Sequence, residues 1–178
     1  YDSDGLGDPC DNDDDNDGIP DAGFDGNWTL SDDNDKCRFG ELGWTSSIAN
    51  DHDQDGCRDS TEDDNDDNDG LLDSNDDCTP GDIGWTSNST TDYDGDGCQD
   101  DLEDMDDDND GVIDLNDNCP KGLTGWTPSL TNDYDSDGCK DDTEDDDDDD
   151  DGVLDDVDVC VKGDIGWVSS GATDYDSD

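Results

Sequence analysis

Apolar residues are sparse and scattered along this chain of 178 residues, and what recurs among them is a long period. Trp44, Trp85, Trp126 and Trp167 stand 41 residues apart, as do Cys37, Cys78, Cys119 and Cys160, and as do Cys57, Cys98 and Cys139. A fixed period of this length marks a linear array of supersecondary units, each contacting mainly its neighbours. The units run 37–77, 78–118 and 119–159, with a divergent unit 1–36 before them and a truncated one, 160–178, after.

The polar positions repeat with the same register. Asp51, Asp53, Asp55, Gly56, Asp59 and Glu62 return as Asp92, Asp94, Asp96, Gly97, Asp100 and Glu103, and again as Asp133, Asp135, Asp137, Gly138, Asp141 and Glu144. A second loop follows in each unit: Asn65, Asp67, Asp69, Gly70, Asp73, Asp76; then Asp106, Asp108, Asp110, Gly111, Asp114, Asp117; then Asp147, Asp149, Asp151, Gly152, Asp155, Asp158. Oxygen ligands at positions 1, 3, 5, 9 and 12, Gly at 6 for a sharp turn and a backbone carbonyl at 7 are what a 12-residue Ca²⁺ loop requires. Position 7 is Cys57, Cys98 or Cys139 in the first loops and Leu71, Val112 or Val153 in the second. Position 8 of the second loops is Leu72, Ile113 or Leu154, expected to face inward as a minimal core.

Only two residues separate the loops of a pair, for instance 51–62 and 65–76. EF-hands are thereby excluded, because flanking helices do not fit, and Asp- and Gly-rich sequence is a poor helix former. The fold expected is irregular: a Ca²⁺-cored tandem-repeat rod stapled by disulfides, with a helical turn near Glu62 and its equivalents and a few isolated β-bridges. Between loop pairs lie about fifteen residues with a Cys, a Gly-x-x-Gly-Trp element such as Gly81–Trp85 and a Ser/Thr-rich tail. Their glycines predict tight turns or close backbone approach beside the indole.

Composition turns ion binding from an option into a requirement. With 61 acidic residues against 6 basic, 25% hydrophobic residues and a formal charge of −55, the chain cannot offset its ordering entropy by apolar burial, and self-repulsion opposes compaction. Phosphates are repelled, so nucleic acid is excluded as a partner. No apolar run is long enough to span a bilayer. Eight cysteines in so polar a chain point to an oxidising compartment, extracellular or at the cell surface, where free Ca²⁺ at about millimolar levels suits weak, acid-rich modules. The separations of 20 and 21 residues lack the close pairs of zinc sites. Two disulfide connectivities keep the period: Cys37–Cys57, Cys78–Cys98 and Cys119–Cys139, or Cys10–Cys37, Cys57–Cys78, Cys98–Cys119 and Cys139–Cys160.

The first unit differs. Asp2, Asp4, Asp8 and Asp11 precede Asp13, Asp15, Asp17, Gly18 and Asp21, and extra residues that include Phe24 and Trp28 follow. Asp25 and Asp35 both qualify as its position-12 ligand. Asp2–Gly5 and Asp174–Asp178 each read as part of a loop, so the chain is expected to continue as a longer array.

Residues 1–22 and the stretch Asp110–Pro120, which ends Asp117-Asn118-Cys119-Pro120, resemble the thrombospondin type 3 repeat, and the loop pairs extend that resemblance over the whole chain. The resemblance implies a disulfide-linked extracellular rod whose bound ions form the core. It also implies the first connectivity, across the spacer; the second would have to tolerate the insertion in the first unit. Cys10 and Cys160 are then left to pair elsewhere. The spacers depart from the family, with Gly-Trp and Ser/Thr in place of its Asn/Gln pattern, so the family's packing and partners do not transfer.

The bland alternatives are a solvated acidic tract for the loops and local packing for the tryptophans. Constant register over six complete loops argues against the first. The indoles are otherwise candidates for lateral contact between rods, Trp28 above all, because it stands outside the period. Asn27-Trp28-Thr29 and Asn88-Ser89-Thr90 are N-glycosylation sequons, which make glycans expected partners beside self-association into a fibre. His52, the single histidine, occupies position 2 of a loop and is expected to point away from the ion; without a second His no Ser/His or Cys/His pair exists, and an enzyme is not expected. A calcium-rigidified structural rod or fibre is the leading expectation. A stalk within a large adhesin or secreted enzyme, and a Ca²⁺ buffer or biomineral matrix protein, are the alternatives.

Overall fold

The computed structural model describes residues 11–21 and 35–173, and among these it contains no helix, strand or isolated β-bridge. Two compact units are present, Tyr1–Ser87 with Asp96–Gln99 and Asn88–Gly95 with Asp100–Asp178. The expected bridges are replaced by single bonds. In every loop that lies within one unit, the amide of position 9 donates to the carbonyl of the residue just before position 1: Asp21 to Asn12 (2.9 Å), Asp59 to Asn50 (3.2 Å), Asp73 to Asp64 (2.9 Å), Asp114 to Met105 (2.9 Å), Asp141 to Asn132 (3.1 Å) and Asp155 to Asp146 (2.9 Å). One bond per loop closes a ring without starting a ladder.

The rings are tight because two of their residues are left-handed. Gly at position 6 has φ between +84° and +109°, and position 4 is also positive, at Asn16, Gln54, Asn68, Asn109, Ser136 and Asp150. Asn and Asp tolerate this region better than other side chains. The expected helical turn is present as one turn: Glu62 donates to the Arg58 carbonyl at 2.8 Å and Glu144 to that of Lys140 at 2.9 Å.

Three disulfides, Cys37–Cys57, Cys78–Cys98 and Cys119–Cys139, link cysteines 20 residues apart, with Cα–Cα distances of 5.0–5.2 Å. This is the connectivity implied by the resemblance. Cys160 is unpaired and exposed, and Cys10 lies outside the described residues. Beside each disulfide a backbone bond crosses the same gap: Lys36 N–H to Asp55 O (2.7 Å), Asp77 to Asp96 (2.8 Å), Asn118 to Asp137 (2.8 Å).

The expected apolar core is not there. Leu72, Ile113 and Leu154 are 50%, 43% and 53% exposed, and among the described residues the buried hydrophobic ones are the half-cystines Cys57, Cys98 and Cys139. Position 8 turns outward because each ring's interior is filled by carboxylates; twenty-one aspartates are buried among the described residues.

The spacer lies along the preceding second loop. Ser46, Ser87 and Ser169 donate their amides to the carbonyls of Asp17, Asp69 and Asp151 at 2.7–2.8 Å, and in the remaining copy Pro128 has no N–H to give. Gly43, Gly84, Gly125 and Gly166, just before each tryptophan, have φ of +77° to +90°, and a Cβ placed there would meet no atom within 4 Å outside the adjoining residues. The left-handed turn is what these glycines serve. Trp44, Trp85, Trp126 and Trp167 are half-buried, and the indole N–H groups of the first three are buried without an acceptor.

Candidate metal centres

Each loop aims its carboxylates inward through short local bonds. In the second loops the position-5 carboxylate accepts the amide of position 7: Asp17 from Ile19 (2.6 Å), Asp69 from Leu71, Asp110 from Val112 and Asp151 from Val153 (2.7 Å each). Position 1 accepts the amide of the position-6 glycine in several loops, at 3.0 Å from Gly111 to Asp106 and 2.9 Å from Gly152 to Asp147. The unused oxygens converge. Single carboxylate oxygens lie within 4.8 Å of one another in the groups Asp13–Asp15–Asp17, Asp51–Asp53–Asp55 and Asp67–Asp69–Asp76, spacing that can hold a metal ion. The loop that opens at Asp92 is divided between the units: Asp92 and Asp100 accept the amides of Gly95 (2.8 Å) and Tyr93 (2.9 Å) in one, and Asp96 accepts that of Cys98 (2.9 Å) in the other.

Electrostatics favour a cation in these groups. Asp17 Oδ2, Asp67 Oδ2, Asp110 Oδ2 and Asp133 Oδ2 are buried with no hydrogen-bond partner, on residues no more than 2% exposed. A buried carboxylate oxygen without a partner is costly, which is the donor set a hard divalent ion neutralises. Burial pushes the carboxyls up and neighbouring like charges add to it: Asp17 to about 6 beside Asp15, Asp13 and Asp51, and both Asp53 and Asp135 to about 7.

The structure chooses Asp35 as the residue that closes the loop opening at Asp13. Its Oδ1 accepts the amide of Cys37 at 2.8 Å, as Asp76, Asp117 and Asp158 accept those of Cys78, Cys119 and Cys160 at 2.6–2.7 Å. Burial and the charges of Asp15 and Asp17 raise Asp35 to about 8, which places it in that cluster. Asp25, Asp2, Asp4 and Asp8 lie outside the described residues, as does Asn27. The extra chain is therefore inserted inside the loop, between Asp21 and Asp35. Asp76 and its equivalents also pack on the disulfide strand: a Cβ at Gly56, Gly97 or Gly138 would overlap Asp35, Asp76 or Asp117.

Glu62 and Glu144, expected to close their own first loops, lie beside the second loop of the preceding repeat. A Cβ on Gly40 would meet Glu62 Oε1 at 2.8 Å and Asp15 Oδ2 at 2.9 Å, and one on Gly122 would meet Glu144 and Asp108 at the same distances. Gly40 and Gly122 donate to Asp15 (3.0 Å) and Asp108 (2.8 Å). One repeat thus lends a carboxylate to the cluster of the repeat before it.

Two sets of acids escaped the loop template. Asp63, Asp104 and Asp145, one residue past each first loop, accept the amides of Asn65, Asp106 and Asp147 at 2.9 Å and face the first-loop carboxylates. Asp14, Asp107 and Asp148, at position 2 of second loops, are buried rather than solvated. The recurrence of Asp63, Asp104 and Asp145, and of Asp66, Asp107 and Asp148, every 41 residues was the available signal. Position 2 of the first loops does turn away from the cluster: His52 Nε2 lies 2.8 Å from the Gly81 carbonyl, and the hydroxyls of Tyr93 and Tyr134 donate to Gly122 (2.9 Å) and Gly163 (2.8 Å). These side chains latch each first loop to the next spacer. Asn88, in a predicted sequon, is exposed and its amide donates to Thr91 Oγ1 at 2.8 Å.

No protein-family model, curated protein or solved structure matches the chain. Among the described residues no helix is long and apolar enough to cross a membrane.

Proposed function

We propose that this is an extracellular calcium-binding structural protein, an array of thrombospondin-3-like repeats that Ca²⁺ stiffens into a rod or fibre. The observation that carries this reading is the inverted interior: aspartates occupy the buried positions, several with an oxygen that has no partner, while the described leucines and valines are half-buried or exposed. A chain so built has little to hold it together except cations and disulfides, of which three lie among the described residues.

Asp, Asn and Glu oxygens with a position-7 carbonyl form an all-oxygen donor set, which suits Ca²⁺ and not thiophilic metals. Bound Ca²⁺ supplies charge neutralisation and crosslinking: a first loop such as Asp51, Asp53, Asp55, Asp59 and Glu62 passes from −5 to −3, and carboxylates distant in sequence are drawn together. Folding and metal binding are thereby coupled. Since the surface stays acidic after loading, association into fibres would draw on bridging ions, glycans or the exposed side chains of Leu115 and Val159, which are 88% and 74% exposed.

Calcium titration of the disulfide-bonded chain, followed by circular dichroism and small-angle scattering, tests the reading. A transition to a form with a constant cross-section and a longer maximum dimension is expected. Binding without a change in dimensions would support a buffer or matrix function instead.

A further inference from the structure

A second kind of acidic group lies between the two loops of each repeat, made of position 9 of the first loop, the acid just past it and position 2 of the second. In the repeat 78–118, oxygens of Asp100, Asp104 and Asp107 lie within 4.8 Å of one another. Asp107 is only 7% exposed, and its Oδ1 is buried without a partner. The same holds in the next copy for Asp148, 4% exposed, whose Oδ1 is likewise unpartnered. These oxygens ask for a positive charge, and the chain delivers one. Lys121 Nζ pairs with Asp100 and, at 3.3 Å, with Asp107. Lys162 Nζ pairs with Asp141 and, at 3.4 Å, with Asp148. In the first repeat Arg38, one residue nearer its cysteine than these lysines, lies 2.7 Å from Asp14, at the same position 2, and 3.3 Å from Asp21, position 9 of that same loop. Position 2 of three second loops thus takes three of the chain's six basic residues. The repeat 37–77 is the exception. The residue 41 before Lys121 is Pro80, and among the described residues no ion pair reaches Asp59, Asp63 or Asp66; Lys36, which pairs with Asp55 at 3.1 Å, is felt at Asp63.

We infer that Asp100–Asp104–Asp107 and Asp141–Asp145–Asp148 are cation sites in which the ammonium of Lys121 or Lys162 stands in for a divalent ion, and that Asp59–Asp63–Asp66, lacking the lysine, binds the divalent ion itself. The inference rests on the reading of the loops as calcium sites and adds a separate class of site to them. Chemically the exchange is sound: an ammonium is a compact cation with three donors, which satisfies carboxylates as a point charge and blocks the approach of a second cation. A triad at −3 is brought to −2 by lysine and to −1 by Ca²⁺. Repeats with a lysine therefore hold one ion fewer and depend less on the free calcium concentration.

The test is a count of Ca²⁺ ions retained by the whole disulfide-bonded chain, by native mass spectrometry from solutions of fixed free calcium. Lys121→Met and Lys162→Met are expected to retain one ion more than the parent chain each, Lys121→Arg the same number, and Pro80→Lys one fewer. Both lysines are partly exposed, 46% and 39%, so their replacement leaves the disulfides and rings in place. A parent chain that retains no calcium overturns the loop reading. A parent chain that retains calcium, with counts in the methionine variants and Pro80→Lys unchanged or moved the opposite way, overturns this inference alone.

Discussion

The loop that opens at Asp13 and the loop that opens at Asn65 reach the same closure over different lengths of chain. The offset between them is 52 residues from Asp13 to Asp21 and 41 at Asp35, so the first carries eleven extra residues between positions 9 and 12. Asp35 nevertheless accepts the Cys37 amide as Asp76 accepts that of Cys78, at 2.8 and 2.7 Å, and each lies against the glycine before the second cysteine. Site geometry is therefore set by the last carboxylate and the disulfide beside it, not by the number of residues between positions 9 and 12.

Acidification separates the two loops most. Asp35 is raised to about 8, by burial first and then by Asp15 and Asp17, and Asp76 is raised by burial while the Cys78 amide lowers it. Folded values above the unfolded value of about 4 mean that the metal-free compact form loses stability as pH climbs from about 4 through these values, up to about 8 for Asp35, and keeps it fully below about 4. Ion binding runs the other way, because protons compete. Calcium affinity should fall by up to about tenfold per pH unit for each carboxylate protonated, beginning near pH 8 at the 13–35 loop and at lower pH at the 65–76 loop. Calorimetric titrations between pH 8 and 5 read both.

Removing the covalent anchor comes next. Cys37→Ser with Cys57→Ser, and Cys78→Ser with Cys98→Ser, should each cost about 3 kcal/mol in urea unfolding at saturating calcium. Equal losses are expected if the disulfide and not the loop length fixes the final ligand. Gly56→Ala and Gly97→Ala, at φ of +84° and +94°, force a Cβ onto Asp35 or Asp76, and about 2 kcal/mol is expected from each by the same measurement. The smallest effect concerns the insertion itself. Deleting residues 23–33 halves the span from position 1 to position 12, which closure entropy values at about 0.6 kcal/mol, or roughly a threefold gain in affinity at that loop. Calcium titration of the deletion variant checks it.

The fold was legible in the sequence wherever it is periodic. Register, loop pairing, left-handed glycines at position 6 and near-absence of regular structure follow from Asp and Gly recurring in a chain with no apolar stretch to bury. Three features were not legible. Leu72, Ile113 and Leu154 were expected inside because that position of a 12-residue calcium loop is taken to face inward, and here carboxylates, with the Asn65 amide in one ring, occupy the interior. Glu62 was assigned to its own loop, although one helical turn carries it back to Asp15 of the previous repeat, a contact that linear spacing cannot reveal. Asp63 and Asp66 were passed over since a 12-position template has no place for them; only the fold shows that two adjacent rings share their borders.

The central claim is that cations replace an apolar interior, and amide exchange tests it most directly. The amides of Asp59, Asp73, Asp114, Asp141 and Asp155 close their rings through one bond each. After exhaustive EGTA treatment with the disulfides intact, these amides are expected to exchange as fast as those of an unfolded peptide, and to regain protection when calcium is restored. Protection that persists in EGTA at neutral pH would contradict the account.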